Sequence, residues 1–252
     1  MELKDWLNYF EANKKNRLVC PNDTYTLTEE ERQRIASSIQ SFQLGESSEG
    51  HVLRAQARKQ SIETGEPEYL VAIEHLIREE NLHSSYLGHF MNQHSIPKLK
   101  RGWNDAYFRF LRRLAGVELS SRVLVIAEVI AITYYDCLST ATQSHVLKQI
   151  CQRMHEDEKA HVEFQMYQIH KINFQKHALS SSLANIFHFI LAYATLFPVW
   201  IEHRKVLSTR YSLSSFIEKV YKDFQECTYQ GQLKACQSLV KSGYLSPEVL
   251  CS

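Results

Sequence analysis

The chain is poor in the residues that punctuate structure, with 8 glycines and 5 prolines among 252 residues. So few turn-formers exclude a turn-rich all-β fold and favour long helices. An excess of one charge sign is also missing. The formal net charge is +1 with 23% charged residues, which leaves no electrostatic case for nucleic acid or an anionic membrane as partner. The six cysteines are scattered, and none belongs to a Cys-x-x-Cys pair. Reduced thiols in a cytoplasm are therefore expected, with no rubredoxin-type iron centre. The first residues, MELKDWLNYFEANKK, lack the basic and apolar regions of a secretory leader. One apolar run, Leu183 to Ile201, has the length of a membrane span but carries Asn185, His188, Thr195 and Pro198. A buried helix kinked near Pro198 is expected there instead of a span.

What is present is helical periodicity. No repeat, low-complexity tract or long linker divides the chain, so residues 1–252 are read as one domain. Its core should cover about 28–178, with a helical extension over about 180–252. A short helix is expected from about Lys4 to Asn13. Thr28-Glu29-Glu30-Glu31 is a capping box, with Thr28 capping and Glu31 reciprocating. The helix it opens carries Ile35, Ile39, Phe42, Glu46, Glu49 and Leu53 on one stripe and should run to about Ile62. Thr64 to Pro67 breaks it, and Pro67 suits the first turn of a second helix that stops before Pro97.

Residues 95–120 make a long connection with its own helix, Trp103 to Leu114. A third helix should begin at Ser120 or Ser121 and a fourth near Ser144, and helices from about Ser181, Ser215 and Gln230 complete the chain. These last helices either cover the bundle or form a homodimer interface. The pattern predicts an all-α four-helix bundle with one long crossover and added N- and C-terminal helices.

Two Glu-x-x-His motifs, Glu80 to His83 and Glu158 to His161, lie in helical stretches. Residues three apart share a helix face, so each motif aims a carboxylate and an imidazole at one point. At this Glu and His content chance supplies about one such spacing, so placement has to carry the weight. Glu128 supplies it. It is the only polar residue in Val123 to Ile132, VLVIAEVIAI. An unpaired buried carboxylate costs several kcal/mol, so Glu128 must be protonated, bound to metal, or paired with an arginine such as Arg109, Arg112 or Arg113.

The interval from Glu49 to Glu80 is 31 residues and that from Glu128 to Glu158 is 30, each with one turn near its middle. Two antiparallel hairpins would then set each lone Glu level with the motif of its partner helix. Glu49 is preferred over Glu46 because it gives the more symmetric spacing. Four carboxylates balance two divalent ions, with neutral imidazoles completing the set. Oxygen-rich ligation without thiolates points to iron or manganese and away from structural zinc.

Other residues carry less. Asp157 precedes the second motif and is placed to accept a ligand histidine's second N–H. Glu79 precedes the first and reads equally well as a solvated helix-face charge. His155 lies one turn before Glu158 and is either a third imidazole ligand or a bundle-edge residue. His51, His89 and His94 read as surface or pocket-rim residues. Tyr86, Tyr134 and Tyr135 are near enough to the ligands to be oxidised, though bundle packing explains them as well.

On these residues the chain resembles the ferritin-like di-iron carboxylate superfamily over about Thr28 to Asn173. The resemblance rests on Glu49 or Glu46, Glu80-Asn81-Leu82-His83, Glu128 and Asp157-Glu158-Lys159-Ala160-His161. The Asp-Glu-x-Ala-His form is similar to the fourth-helix signature of the ribonucleotide reductase small subunit and related oxidases. The resemblance implies two iron ions, with Fe/Mn and Mn/Mn pairs as alternatives, and oxidative chemistry with O2.

The extra C-terminal helices are what a di-iron oxidase or oxygenase acting on an apolar or aromatic small molecule would need, with electrons from an external donor or from the substrate. A ferroxidase or peroxide-scavenging protein and a metal-free helical interaction protein are the alternatives.

Overall fold

The computed structural model describes residues 2–47, 50–100, 117–175, 194–243 and 245. Among them all regular structure is helical. Helix α1 (Leu3–Asn13) is short and held by its apolar stripe: Leu3, Trp6, Phe10 and Asn13 are buried. The ring centroids of Trp6 and Phe10 each lie 5.5 Å from that of Phe164. Helix α2 (Glu29–Glu46) starts at the expected box, with Thr28 accepting the Glu31 N–H. The Glu31 carboxylate also receives the Tyr25 hydroxyl at 2.5 Å and the Gln143 N–H at 2.8 Å, which ties the start of α2 to a distant turn. Burial raises the Glu31 pKa, but the hydrogen bonds from Tyr25, Gln143 and Thr28 outweigh it and bring the group down to about 2.

The continuous helix expected to run to Ile62 is two helices. Helix α2 stops at Glu46, and α3 (His51–Thr64) begins after Gly50, whose φ is 63°. A side chain at Gly50 would also collide with Ile77, 2.6 Å from its Cβ position. The left-handed backbone and the close approach both call for glycine. Helix α4 (Pro67–Gln93) takes Pro67 in its first turn and packs antiparallel on α2 and α3.

Helix α5 (Val117–Thr140) begins a few residues before the expected serines, and a short turn joins it to α6 (His145–Gln175), against which it packs. Ser144 caps α6 by accepting the Leu147 N–H at 3.0 Å. Two helical hairpins, α2–α3 with α4 and α5 with α6, thus enclose the core. The connection between them falls on residues 94–116, of which 101–116, with the expected helix at Trp103 to Leu114, lie outside the described residues.

Residues 194–207 are helical through Pro198, while the earlier part of the apolar run lies outside the described residues. No helix among those described is long and apolar enough to cross a membrane. The segment lies along α2, where Ser41 donates to Glu202 and Lys205 Nζ donates to the Gln33 carbonyl at 3.2 Å. Helix α7 (Leu213–Lys241) packs along α6 and runs unbroken through Gln230, where a new helix was expected. Gly231 looks like a break in the sequence but serves a close approach. A Cβ there would stand 2.3 Å from Met166 of α6.

Candidate metal centre

Six side chains from four helices meet inside the bundle. Glu46 is the last residue of α2, Glu80 and His83 project from α4, Glu128 from α5, and Glu158 and His161 from α6. They form two ligand groups, Glu46–Glu80–His83–Glu158 and Glu80–Glu128–Glu158–His161. Within each group, one donor atom from every residue lies within 4.8 Å of the others. Glu80 and Glu158 belong to both, so they stand between two adjacent positions. The imidazole centroids of His83 and His161 are 5.7 Å apart.

Of the residues expected from the sequence, Glu80, His83, Glu128, Glu158 and His161 all converge here. Glu46, the alternate, supplies the α2 carboxylate, and Glu49 lies outside the described residues. Equal intervals favour Glu49 only if the first helix is continuous. The 14 residues of α3 are matched by those from Pro67 to Glu80 in α4, so the site lies level with the break after α2. Helix α2 ends at Glu46 and α3 begins at His51, so the interval is not one continuous helical register.

His155 does not join the cluster. Its Nδ1 lies 2.8 Å from Asp136 Oδ1 at the bundle edge. His94 is not a rim residue but is buried, with Nε2 3.0 Å from Asp23 Oδ2.

The donor atoms face inward with little else to bind. His83 Nδ1 is 3.2 Å from Glu158 Oε1, and His161 Nδ1 is 3.0 Å from Glu80 Oε1. His83 Nδ1, His161 Nδ1, Glu80 Oε1 and Glu158 Oε2 are buried without a hydrogen-bond partner. Leaving such atoms unsatisfied costs about 1–3 kcal/mol each, more when charged. Four of them converging on two points is what a pair of cations would satisfy, and the donor set fits iron or manganese.

Each ligand histidine is oriented from behind by the acid that precedes the other motif. His83 Nε2 lies 3.2 Å from Asp157 Oδ2, and His161 Nε2 lies 2.8 Å from Glu79 Oε2. Glu79 is therefore not a solvated charge: it is buried and does for His161 what Asp157 does for His83. Holding Nε2–H leaves both Nδ1 lone pairs for the centre.

Behind the acids stands Asn13, which the sequence reading missed. Its Nδ2 donates to Glu79 Oε1 at 2.7 Å and to Asp157 Oδ1 at 2.8 Å. Arg153 donates to Asn13 Oδ1 and to Asp157 Oδ1, both at 2.6 Å. A signal existed, since Asn13 continues the stripe of Trp6 and Phe10. Gln165, Glu128's partner, donates to its two carboxylate oxygens at 2.6 and 2.5 Å, and the Tyr135 hydroxyl donates to Glu46. The arginines weighed as partners for Glu128 lie outside the described residues.

The protein alone balances this cluster with protons. Burial and the neighbouring Glu80 push Glu46 up to about 8. Burial also holds Glu128 well above the carboxylate range. For His83 and His161 burial acts downward, but it is outweighed. The facing carboxylates of Asp157, Glu158 and Glu46 raise His83, and those of Glu158, Glu79 and Glu80 raise His161. Burial would raise Glu158 too, yet the two histidines hold it low.

A cavity of about 110 Å³ opens onto the centre. Glu80, Glu128 and Glu158 form its floor, and Phe42, Ile130 and Val199 give it apolar walls. His203, from the segment 194–207, adds a polar point to the lining, with Nδ1 2.8 Å from Ser38 Oγ. Burial drops its pKa to about 3, so it is neutral at any ordinary pH. Comparison of the chain with protein-family models, curated proteins and solved structures gave no match.

Proposed function

We propose that this chain is an O2-dependent di-iron oxidase or oxygenase of the ferritin-like carboxylate type, acting on a small apolar or aromatic molecule. One observation carries the reading: two buried ligand groups share Glu80 and Glu158 and lie against an apolar cavity. Glu46 and His83 would hold one ion, Glu128 and His161 the other, with Glu80 and Glu158 between them. Two irons so held would supply redox chemistry toward O2, and manganese would fit the same donors.

The chain's own groups do the rest. Tyr135 and Gln165 steady the two terminal carboxylates, Glu46 and Glu128, by hydrogen bonds. Asp157 and Glu79 fix which nitrogen of each imidazole carries the proton. Phe42, Ile130 and Val199 give a substrate apolar contact, and neutral His203 offers it one hydrogen-bonding point without charge. Electrons come from an external donor or the substrate, and the site of action is the cytoplasm. A cavity with apolar walls beside the centre serves an organic substrate better than iron storage.

Metal analysis of protein produced in iron-replete medium should find two Fe, or Fe and Mn, per chain. O2 uptake should then rise with small apolar or aromatic probes. O2 uptake driven by added Fe(II) and indifferent to organic probes would favour a ferroxidase. Protein without metal would sink both readings and favour an interaction role.

Loading should also be steep in pH. Glu46, Glu128, His83 and His161 have raised pKa values, so metal binding competes with protons at these groups. Affinity should rise from pH 6 toward about 8, where Glu46 titrates, and proton release should be seen in weakly buffered titrations. Affinity independent of pH would contradict this assignment.

A further inference from the structure

We propose that Asn13 is a positioning residue that couples the two metal positions through one side-chain amide. The inference rests on the dinuclear reading above. Asn13 is buried at the end of α1, far in sequence from every ligand. The two protons of its amide go to different helices. One reaches Glu79 of α4, which holds His161, and the other reaches Asp157 of α6, which holds His83. Arg153 occupies Asn13 Oδ1, so the amide cannot turn over without setting its oxygen against two carboxylates. A single group therefore fixes both Nε2–H tautomers and leaves both Nδ1 atoms aimed at the centre.

The two arms are unequal. Asp157 keeps Arg153 at 2.6 Å if Asn13 is removed. Among the described residues Glu79 has Asn13 as its one hydrogen-bond partner besides His161. Loss of the amide therefore frees the Glu79 carboxylate and the His161 ring first. The Glu128–His161 position should weaken most, and the Glu46–His83 position less.

Removing an outer partner of a metal-bound histidine costs roughly 10–100-fold in affinity. The test is an anaerobic Mn(II) titration of wild type, Asn13→Leu and Asn13→Ala by equilibrium dialysis, followed by electron paramagnetic resonance. Near-ultraviolet circular dichroism of the metal-free proteins reports the fold. Wild type should bind two Mn(II) as a spin-coupled pair.

Both variants should keep the native dichroism, bind one ion nearly normally, lose roughly 10–100-fold at the other, and show the signal of an isolated Mn(II). Glu79→Gln should give the same pattern, and adding Asn13→Leu to it should cost little more. Two positions with wild-type affinity and a coupled signal in both variants would overturn the proposal. So would equal loss at both positions with the dichroism gone, since that is a structural role alone. A wild-type chain that binds no Mn(II) or Fe(II) would overturn this inference together with the metal reading.

Discussion

Glu158→Ala should empty both metal positions at once. Glu158 belongs to both ligand groups, is 1% exposed, and lies 3.2 Å from His83 Nδ1 through one oxygen and 3.6 Å from His161 Nδ1 through the other. No other described residue touches both histidines on their inward nitrogens. The substitution also removes the anion that faces two buried imidazoles with raised pKa values. Breaking a buried ion pair by deleting one partner costs about 3–5 kcal/mol. At about 2–4 °C per kcal/mol for a chain of this size, the metal-free variant should melt about 6–20 °C lower. Metal analysis and calorimetry on the same preparations check both halves. Retention of two ions at wild-type affinity would remove Glu158 from the centre.

Glu128 and Gln165 lead to the opposite expectation for stability. Glu128 is buried in an apolar helix, and its pKa is held well above the carboxylate range by that burial. Its hydrogen-bond partner is the Gln165 amide. Replacing Glu128 alone by leucine would strand that amide, at about 1–3 kcal/mol. The double variant Glu128→Leu, Gln165→Leu removes the carboxylate and its amide partner together. Such exchanges run from neutral to about 4 kcal/mol stabilising.

The metal-free double variant should thus melt as high as wild type or up to about 15 °C higher. It should lose the position held with His161. Stability would then rise as function is lost, the mark of a residue kept for its chemistry. A double variant that melts lower than wild type without metal would show that Glu128 serves the fold instead.

Five of the six donors were legible in the sequence because they obey helix periodicity. Glu80 with His83 and Glu158 with His161 share helix faces, and Glu128 interrupts an apolar run where no solvated acid belongs. For the sixth the sequence leaves Glu46 and Glu49 open: Glu46 lies in the cluster, and Glu49 lies outside the described residues. A left-handed glycine at Gly50 ends one register and starts another, and spacing arguments assume a single register across the segment. Helix α7 runs on through Gln230, and Gly231 beside it lets α6 approach closely.

The groups behind the histidines were half legible. Asp157 and Glu79 sit beside their motifs, but which of them turns inward depends on packing between helices. Asn13 was hidden because its partners lie 66 and 144 residues away. Local patterns fix what a helix face carries, and only the assembled bundle decides which faces meet.

If two divalent ions displace four protons from Glu46, Glu128, His83 and His161, the net charge of the interior does not change. The protein's far field is then the same empty or full. Ionic strength, which acts on long-range charge, has little to act on, and a partner cannot sense occupancy through the surface potential.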